Sequence, residues 1–171
     1  KTTTVMLTQR IMDHNLSKNG GHAYAVGNIG VPISEVVEKA TSKDLLVVEM
    51  SSFQLLGVTD IKPKVAAIVD IYNNVHLDYH KTFDNYVEAK LRITQSQDQD
   101  GYFIANFDQK NILEKELDKT KAKVQTFSET DKTADYFIGD EYLESKDDHH
   151  IMKISDIKIP GIHNQQNCLV A

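Results

Sequence analysis

Asp44-Leu45-Leu46-Val47-Val48 runs directly into Glu49-Met50-Ser51-Ser52-Phe53-Gln54-Leu55. The first run is short, apolar and rich in branched side chains, the pattern of a buried parallel strand. A carboxylate, two hydroxyls and an amide follow at its C-terminal end. In open α/β sheets that edge is where ligands bind. A Glu there serves as a hard oxygen ligand for Mg²⁺ held against nucleotide phosphates. The plainer alternative is a surface acid at a strand end, with Ser51 capping a helix.

The segments on either side extend this pattern. The chain opens Lys1-Thr2-Thr3-Thr4, a lysine followed by hydroxyls, as in the second half of a phosphate-binding loop. Val5, Leu7, Ile11 and Leu16 give a rough apolar stripe, so a helix starts at the head of the chain with free N–H groups that favour phosphate. Ala23–Val26 reads as a strand closed by Gly27-Asn28-Ile29-Gly30. Pro32 and Ser34 start a helix to about Ala40. Val65–Ile71 is another apolar strand, and Phe83, Val87 and Leu91 mark one face of a helix over Thr82–Gln97. Tyr102–Ala105 is a strand, residues 109–119 a helix, and Val124–Phe127 a strand. This alternation predicts an α/β fold, a mostly parallel sheet flanked by helices.

The pattern changes near Asp135. Tyr136–Ile138, Tyr142-Leu143 and Ile151–Ile154 are strand candidates with turn residues and no helices between them. They predict a small antiparallel β unit in the C-terminal third. Its tip, Asp147-Asp148-His149-His150, reads as a solvated hairpin loop rather than a metal site, because paired histidines alone fix no geometry. Pro160-Gly161-Ile162-His163-Asn164-Gln165-Gln166-Asn167 then enters a last helix.

The 171 residues suffice for one domain with a sizeable core. With 40% hydrophobic and 26% charged residues, a folded domain is expected rather than a disordered chain. The net charge of −6 argues against nucleic acid as a partner. Cys168 stands alone, so no intramolecular disulfide can form, which suits a reducing cytoplasm. No apolar run could span a bilayer and no signal peptide is present, so no membrane partner is expected.

Taken in order, Lys1-Thr2-Thr3, Gly27-Asn28-Ile29-Gly30, Glu49–Leu55, His76-Leu77-Asp78-Tyr79-His80 with Tyr86-Val87-Glu88-Ala89-Lys90, and Pro160–Asn167 resemble the central ATPase domain of the Mur ligases. The set covers nearly the whole chain. These are cytosolic enzymes that extend the peptide stem of the peptidoglycan precursor. The Ser-Ser-Phe-Gln-Leu form is most similar to the branch that adds D-glutamate to UDP-N-acetylmuramoyl-L-alanine. The resemblance implies an ADP-forming ligase: ATP phosphorylates a substrate carboxylate, and the amino-acid amine attacks the acyl phosphate.

It also implies roles. Lys1, Thr2 and Thr3 would bind the ATP phosphates, and Asn164 and Asn167 would face its base, as amides that donate and accept. Thr2 and Glu49 would ligate Mg²⁺. His76 and Lys90 would be catalytic and serve a second metal site, with Lys90 carbamylated into an oxygen ligand. Taken without the resemblance, Lys90 reads as a surface helix lysine and His76 as a loop or core histidine. Asn28, Ser51 and Gln54 would contact the nucleotide-sugar substrate. The run Asp70–Asp78 departs from the family pattern by one extra residue and by Val75 where an acid is usual.

On this reading the chain is the middle of a three-domain monomeric enzyme. It lacks the phosphate-loop glycines and the flanking domains, so alone it is expected to bind ATP weakly and ligate nothing. Two alternatives stand beside it. One is another superfamily member, a sibling Mur ligase or a folylpolyglutamate synthase, against which Ser52-Phe53-Gln54 weighs. The other is a nucleotide-binding or interaction domain without catalysis.

Overall fold

The structure, a computed structural model, describes residues 1–73, 76–147 and 149–171. Residues 74 and 75 of the run Asp70–Asp78, in which one extra residue was expected, lie outside the described residues. The chain divides into two compact units, Lys1–Ser51 with Ala171 and Ser52–Val170. The fold class is the expected one, but the strands pair in two ladders rather than one sheet.

The first unit is built on helix α1 (Thr2–Leu16), strand β1 (Ala23–Gly27), helix α2 (Ile33–Val37) and strand β2 (Leu45–Glu49). The strands run parallel and in register from Ala23 against Leu45 to Gly27 against Glu49. Side chains of α1 tie down the start of β1. Gln9 donates to the Ala23 carbonyl at 2.8 Å, and Asp13 accepts from the Ala23 amide at 3.0 Å. Two expectations change here. Ile11 is 47% exposed, so it lies off the inner face of α1, where Thr4 is buried. Leu45–Val48 are half-buried, and the fully buried residue of β2 is Glu49. The helix expected to reach Ala40 stops at Val37, and the amides of Lys39 and Ala40 close the turn onto the Val36 carbonyl.

The second unit carries six strands in the order β3 to β8: Val65–Ile68, Tyr102–Asn106, Lys123–Ser128, Tyr136–Ile138, Tyr142–Ser145 and His149–Lys153. Pairing is parallel from β3 to β6 and antiparallel from β6 to β8, so the antiparallel unit is continuous with the parallel strands. The helices are α3 (Ser52–Leu56), α4 (Leu77–His80), α5 (Phe83–Leu91), α6 (Lys110–Leu117) and α7 (Ile162–Val170). The core gathers Ala66 and Ile68 of β3, Phe103 and Ala105 of β4, Tyr86 and Val87 of α5, and Leu113 of α6. Burying such apolar surface is the main favourable term in folding.

Strand β3 ends at Ile68 instead of Ile71. Side chains take over there: Asn106 donates to the Val69 carbonyl at 2.9 Å, and Gln109 bonds both the amide and the carbonyl of Ile71. The backbone groups are thus satisfied off the ladder, and the chain leaves the sheet. Helix α5 ends at Leu91 rather than Gln97 and continues as a 3₁₀ turn, Arg92–Thr94. Thr94 Oγ1 donates back to the Leu91 carbonyl at 2.7 Å, a local bond that competes with helix continuation. His149 and His150 belong to β8 rather than to a hairpin loop, and Asp148 lies outside the described residues. Among the described residues no helix is long and apolar enough to cross a membrane.

Candidate functional site

In the first unit the polar groups converge on Glu49. It is only 3% exposed, which rules out a surface acid. Lys1 Nζ donates to its Oε1 at 2.6 Å and Asn28 Nδ2 to the same oxygen at 3.1 Å, while Thr2 Oγ1 donates to Oε2 at 2.7 Å. Burial pushes the Glu49 carboxyl upward in pKa, and the hydrogen bonds from Lys1, Thr2 and Asn28 outweigh it, so the net shift is downward. The group is an ionised carboxylate at neutral pH.

Local backbone chemistry makes this convergence possible. Gly27 sits opposite Glu49 with φ of 103°, and a Cβ there would stand 2.3 Å from the Glu49 carbonyl oxygen. Only glycine permits that approach. The Asn28 amide then donates to the same carbonyl at 2.8 Å, which turns its side chain onto the carboxylate. Lys1 and Thr2 arrive from the first turn of α1, where Thr3 is half-buried.

The donor set suits a hard cation. Neighbouring ligands of an octahedral Mg²⁺ at about 2.0–2.1 Å lie roughly 2.9 Å apart. The 2.7 Å between Thr2 Oγ1 and Glu49 Oε2 is close to that span. One carboxylate and one hydroxyl are few ligands, which is how Mg²⁺ is held when phosphates and waters complete its shell. Among the described residues no group of three or more His, Cys, Asp or Glu forms a cation cage.

In the second unit His76 and Lys90 flank one aromatic ring. The His76 ring centroid is 6.2 Å from that of Tyr86, and Lys90 Nζ lies 5.1 Å from the same ring centre. His76 is exposed, with φ of 58°, just before α4. Lys90 Nζ also donates to the Asp70 carbonyl at 2.9 Å. A carbonyl oxygen and an aromatic face both attract a cation and repel an anion. The unmodified Lys90 side chain thus has a carbonyl and an aromatic face as partners.

Ser51, the last residue of the first unit, is half-buried, and Gln54 is exposed on α3. In α7 Asn167 is buried and Asn164 half-buried. Asn167 Nδ2 donates to Asn164 Oδ1 at 3.1 Å, and Asn164 Nδ2 to the Pro160 carbonyl at 2.7 Å. The two amides thus form one connected pair. The structure brings together Lys1, Thr2, Asn28 and Glu49 in the first unit and Asn164 with Asn167 in α7, while His76 and Lys90 of the second unit each lie beside the Tyr86 ring.

His80 and Tyr86 lie within the motifs read from the sequence but carry no functional role of their own there, and Arg92 lies outside those motifs. His80 is buried against Ser52, Tyr86 is the buried ring beside His76 and Lys90, and Arg92 donates to the Leu55 and Val58 carbonyls after α3. The four-residue step from His76 to His80 was a visible signal. Nothing local identified Ser52 or Leu55 as the partners.

Residues 1–171 match the family model described as the Mur ligase middle domain. The chain is 99% identical over its whole length to a UDP-N-acetylmuramoylalanine–D-glutamate ligase of Lactobacillus johnsonii, and 78% identical to the ligase of that name from Lactobacillus acidophilus. It spans 37% of the length of each. Among solved structures, a UDP-N-acetylmuramoyl-L-alanyl-D-glutamate–2,6-diaminopimelate ligase superposes with a TM-score of 0.70 at 21% identity, over 99% of this chain and 39% of that one. That last likeness concerns the fold.

Proposed function

This chain belongs to the Mur ligase middle-domain family, and from that premise we propose that it is the ATP-handling segment of a cytoplasmic ligase that joins D-glutamate to UDP-N-acetylmuramoyl-L-alanine. The observation that carries the reading is the convergence of Lys1, Thr2 and Asn28 on the buried carboxylate of Glu49. The names of near-identical relatives support the choice of amino acid.

The Lys1 ammonium is a mobile point charge, half-exposed although paired with Glu49, and it can turn to the β- and γ-phosphate oxygens of ATP. Thr2 and Glu49 would hold Mg²⁺, which when bound neutralises charge on the transferring phosphoryl group. Asn28 keeps the carboxylate turned toward Thr2. The N–H groups at the head of α1 face the same phosphates. The acceptor carboxylate attacks the γ-phosphorus, ADP departs, and an acyl phosphate forms. The amine of D-glutamate then attacks the acyl carbon, losing a proton as phosphate leaves and the amide forms.

By the family resemblance, Asn28 and Ser51 of the first unit and, separately, Gln54 of the second are assigned to the nucleotide-sugar acceptor; in the second unit Asn164 and Asn167 are assigned to the adenine, and His76 and Lys90 to the reacting groups. As an ammonium, Lys90 would stabilise the acyl phosphate directly. A carbamate on Lys90 would require the side chain to leave both Asp70 and Tyr86. ¹³C-bicarbonate labelling followed by NMR decides between the two forms.

The test is ADP release by the full-length protein carrying this segment. Turnover that requires both UDP-N-acetylmuramoyl-L-alanine and D-glutamate supports the reading. Turnover with L-lysine or a diamino acid in place of D-glutamate, or ATP hydrolysis indifferent to the acceptor, contradicts it.

A further inference from the structure

The second unit buries a titratable side chain that the chemistry above leaves unused. His80 is 5% exposed, and its Nε2 shares a 2.9 Å hydrogen bond with the hydroxyl of Ser52, itself 5% exposed. An imidazole in such a place costs desolvation that an aliphatic residue would avoid, unless its hydrogen bond has a purpose. The location of the partner supplies one. Ser52 is the first residue of α3, which carries Gln54.

Helix α3 has five residues, too few for its own hydrogen bonds to hold it. Its shape depends on what grips it. At its end, the Arg92 guanidinium donates to the carbonyls of Leu55 and Val58 at 2.9 and 3.1 Å. At its start, His80 bonds Ser52. Between the two, Phe53 stacks on the His80 ring with centroids 5.3 Å apart and 17° between planes. The edges of Phe53 meet His76 at 4.9 Å and Tyr79 at 4.7 Å. Three rings of one short segment therefore contact Phe53, the neighbour of Gln54, and Phe53 keeps 37% of its surface exposed.

The backbone is bent to achieve this. His76 and Lys81, on either side of α4, both have positive φ, 58° and 69°. Positive φ is costly for residues with a Cβ and persists where surrounding structure enforces it. Here the result is that His76 and His80 reach the same phenylalanine.

We propose that His80 is a positioning residue for the nucleotide-sugar acceptor: through Ser52 and Phe53 it couples the helix bearing Gln54 to the segment bearing His76. This rests on the assignment of Gln54 to the acceptor made above. A packing role alone would lower stability and leave substrate discrimination untouched.

The experiment uses the full-length protein with Ser52→Ala, His80→Phe and the double variant. His80→Phe keeps a stacked ring and removes the hydrogen bond; Ser52→Ala removes the same bond with a minimal change in volume, and so carries the test if His80→Phe does not fold. Each single variant is expected to raise KM for UDP-N-acetylmuramoyl-L-alanine about tenfold, the scale of one lost hydrogen bond. KM for ATP is expected to stay within about twofold, and the double variant to be no worse than the worse single one, because both remove one interaction. His80→Gln, which can still bond Ser52, is expected to recover part of the loss. Equal changes in every KM, or a fall in Tm with all KM values unchanged, would overturn the proposal.

The side-chain amide resonances of Gln54, recorded without substrate, separate this proposal from the functional reading. They are expected to shift in both single variants even if the protein turns over a different acceptor. Gln54 resonances identical to the parent's in both variants would refute the coupling whatever the reaction proves to be.

Discussion

At the end of β2, three side-chain donors converge on one carboxylate; beside α4, three rings converge on one phenylalanine. The first arrangement is held by charge-assisted hydrogen bonds, which are strong but exchangeable: a phosphate or a metal can replace either member. The second is held by ring contacts, of which His80 is the buried member while Phe53 is 37% exposed, and by two positive-φ residues, His76 and Lys81, whose backbone fixes the geometry. The contrast divides the labour. A site that must release and recapture a phosphate is built from polar groups with alternatives, and a site that must hold a geometry is built from rings.

The largest effect expected is on the packed region. Tyr86 is buried beside His76, His80 and Phe83, and Tyr86→Ala should cost about 3–5 kcal/mol of stability by opening a cavity. Urea unfolding measures it. A cost below about 1 kcal/mol would mean that the rings do not hold the segment. The next effect belongs to the exchangeable region. Asn28→Ala removes the bond that orients Glu49 and should raise KM for Mg-ATP by roughly ten- to a hundredfold, as for other outer-shell partners. Stability should change far less than for Tyr86→Ala, and the reverse order in unfolding experiments would break the comparison.

Acid should also separate the two regions. Burial raises the Glu49 carboxyl and its hydrogen bonds lower it further, leaving the folded pKa below its ordinary 4.5. The unfolded chain therefore binds this proton more readily. The stabilisation is full above the ordinary value and is lost as pH falls through the folded value. Asp44 shifts in the same direction through hydrogen bonds from Thr41 and His22, but it lies near solvent, so its part is small. Hydrogen-exchange protection at the Asn28 amide, bonded to the Glu49 carbonyl, should thus fall in acid sooner than protection at the buried Val87. Parallel loss at both positions would sink this account of the carboxylate.

The smallest effect concerns Lys81. The Thr82 amide bonds the His80 carbonyl at 2.9 Å around it, making a tight three-residue turn at φ of 69°. Lys81→Gly should relieve about 1–2 kcal/mol of backbone strain and give back about 0.4–1 kcal/mol in unfolded-chain entropy. A rise in Tm of a few degrees is expected. A fall would mean that the turn is not strained.

Much of this was legible in the sequence where the deciding interactions are local. Alternating apolar runs marked the strands, and Glu49 at a strand end, with Asn28 after Gly27, marked the polar cluster. Long-range partners were not legible. Strand β3 is cut short by amides of Asn106 and Gln109, more than thirty residues away. The division after Ser51 leaves no trace in composition, because strand and helix alternate straight across it. The spacing of Leu7 and Ile11 suggested a shared buried face, yet the buried residue of α1 is Thr4. His80 stood in plain view four residues after His76, but its role depends on Ser52, which only folding brings near.

The account turns on Glu49 as the group that links metal to nucleotide. Calorimetric titration of ATP into the full-length protein, with and without Mg²⁺, tests this most directly when the parent is compared with Glu49→Gln. The substitution keeps the shape and removes the charge. The account predicts that Mg²⁺ tightens ATP binding in the parent and that Glu49→Gln loses most of that gain while still binding metal-free ATP. An equal Mg²⁺ effect in both proteins would contradict it.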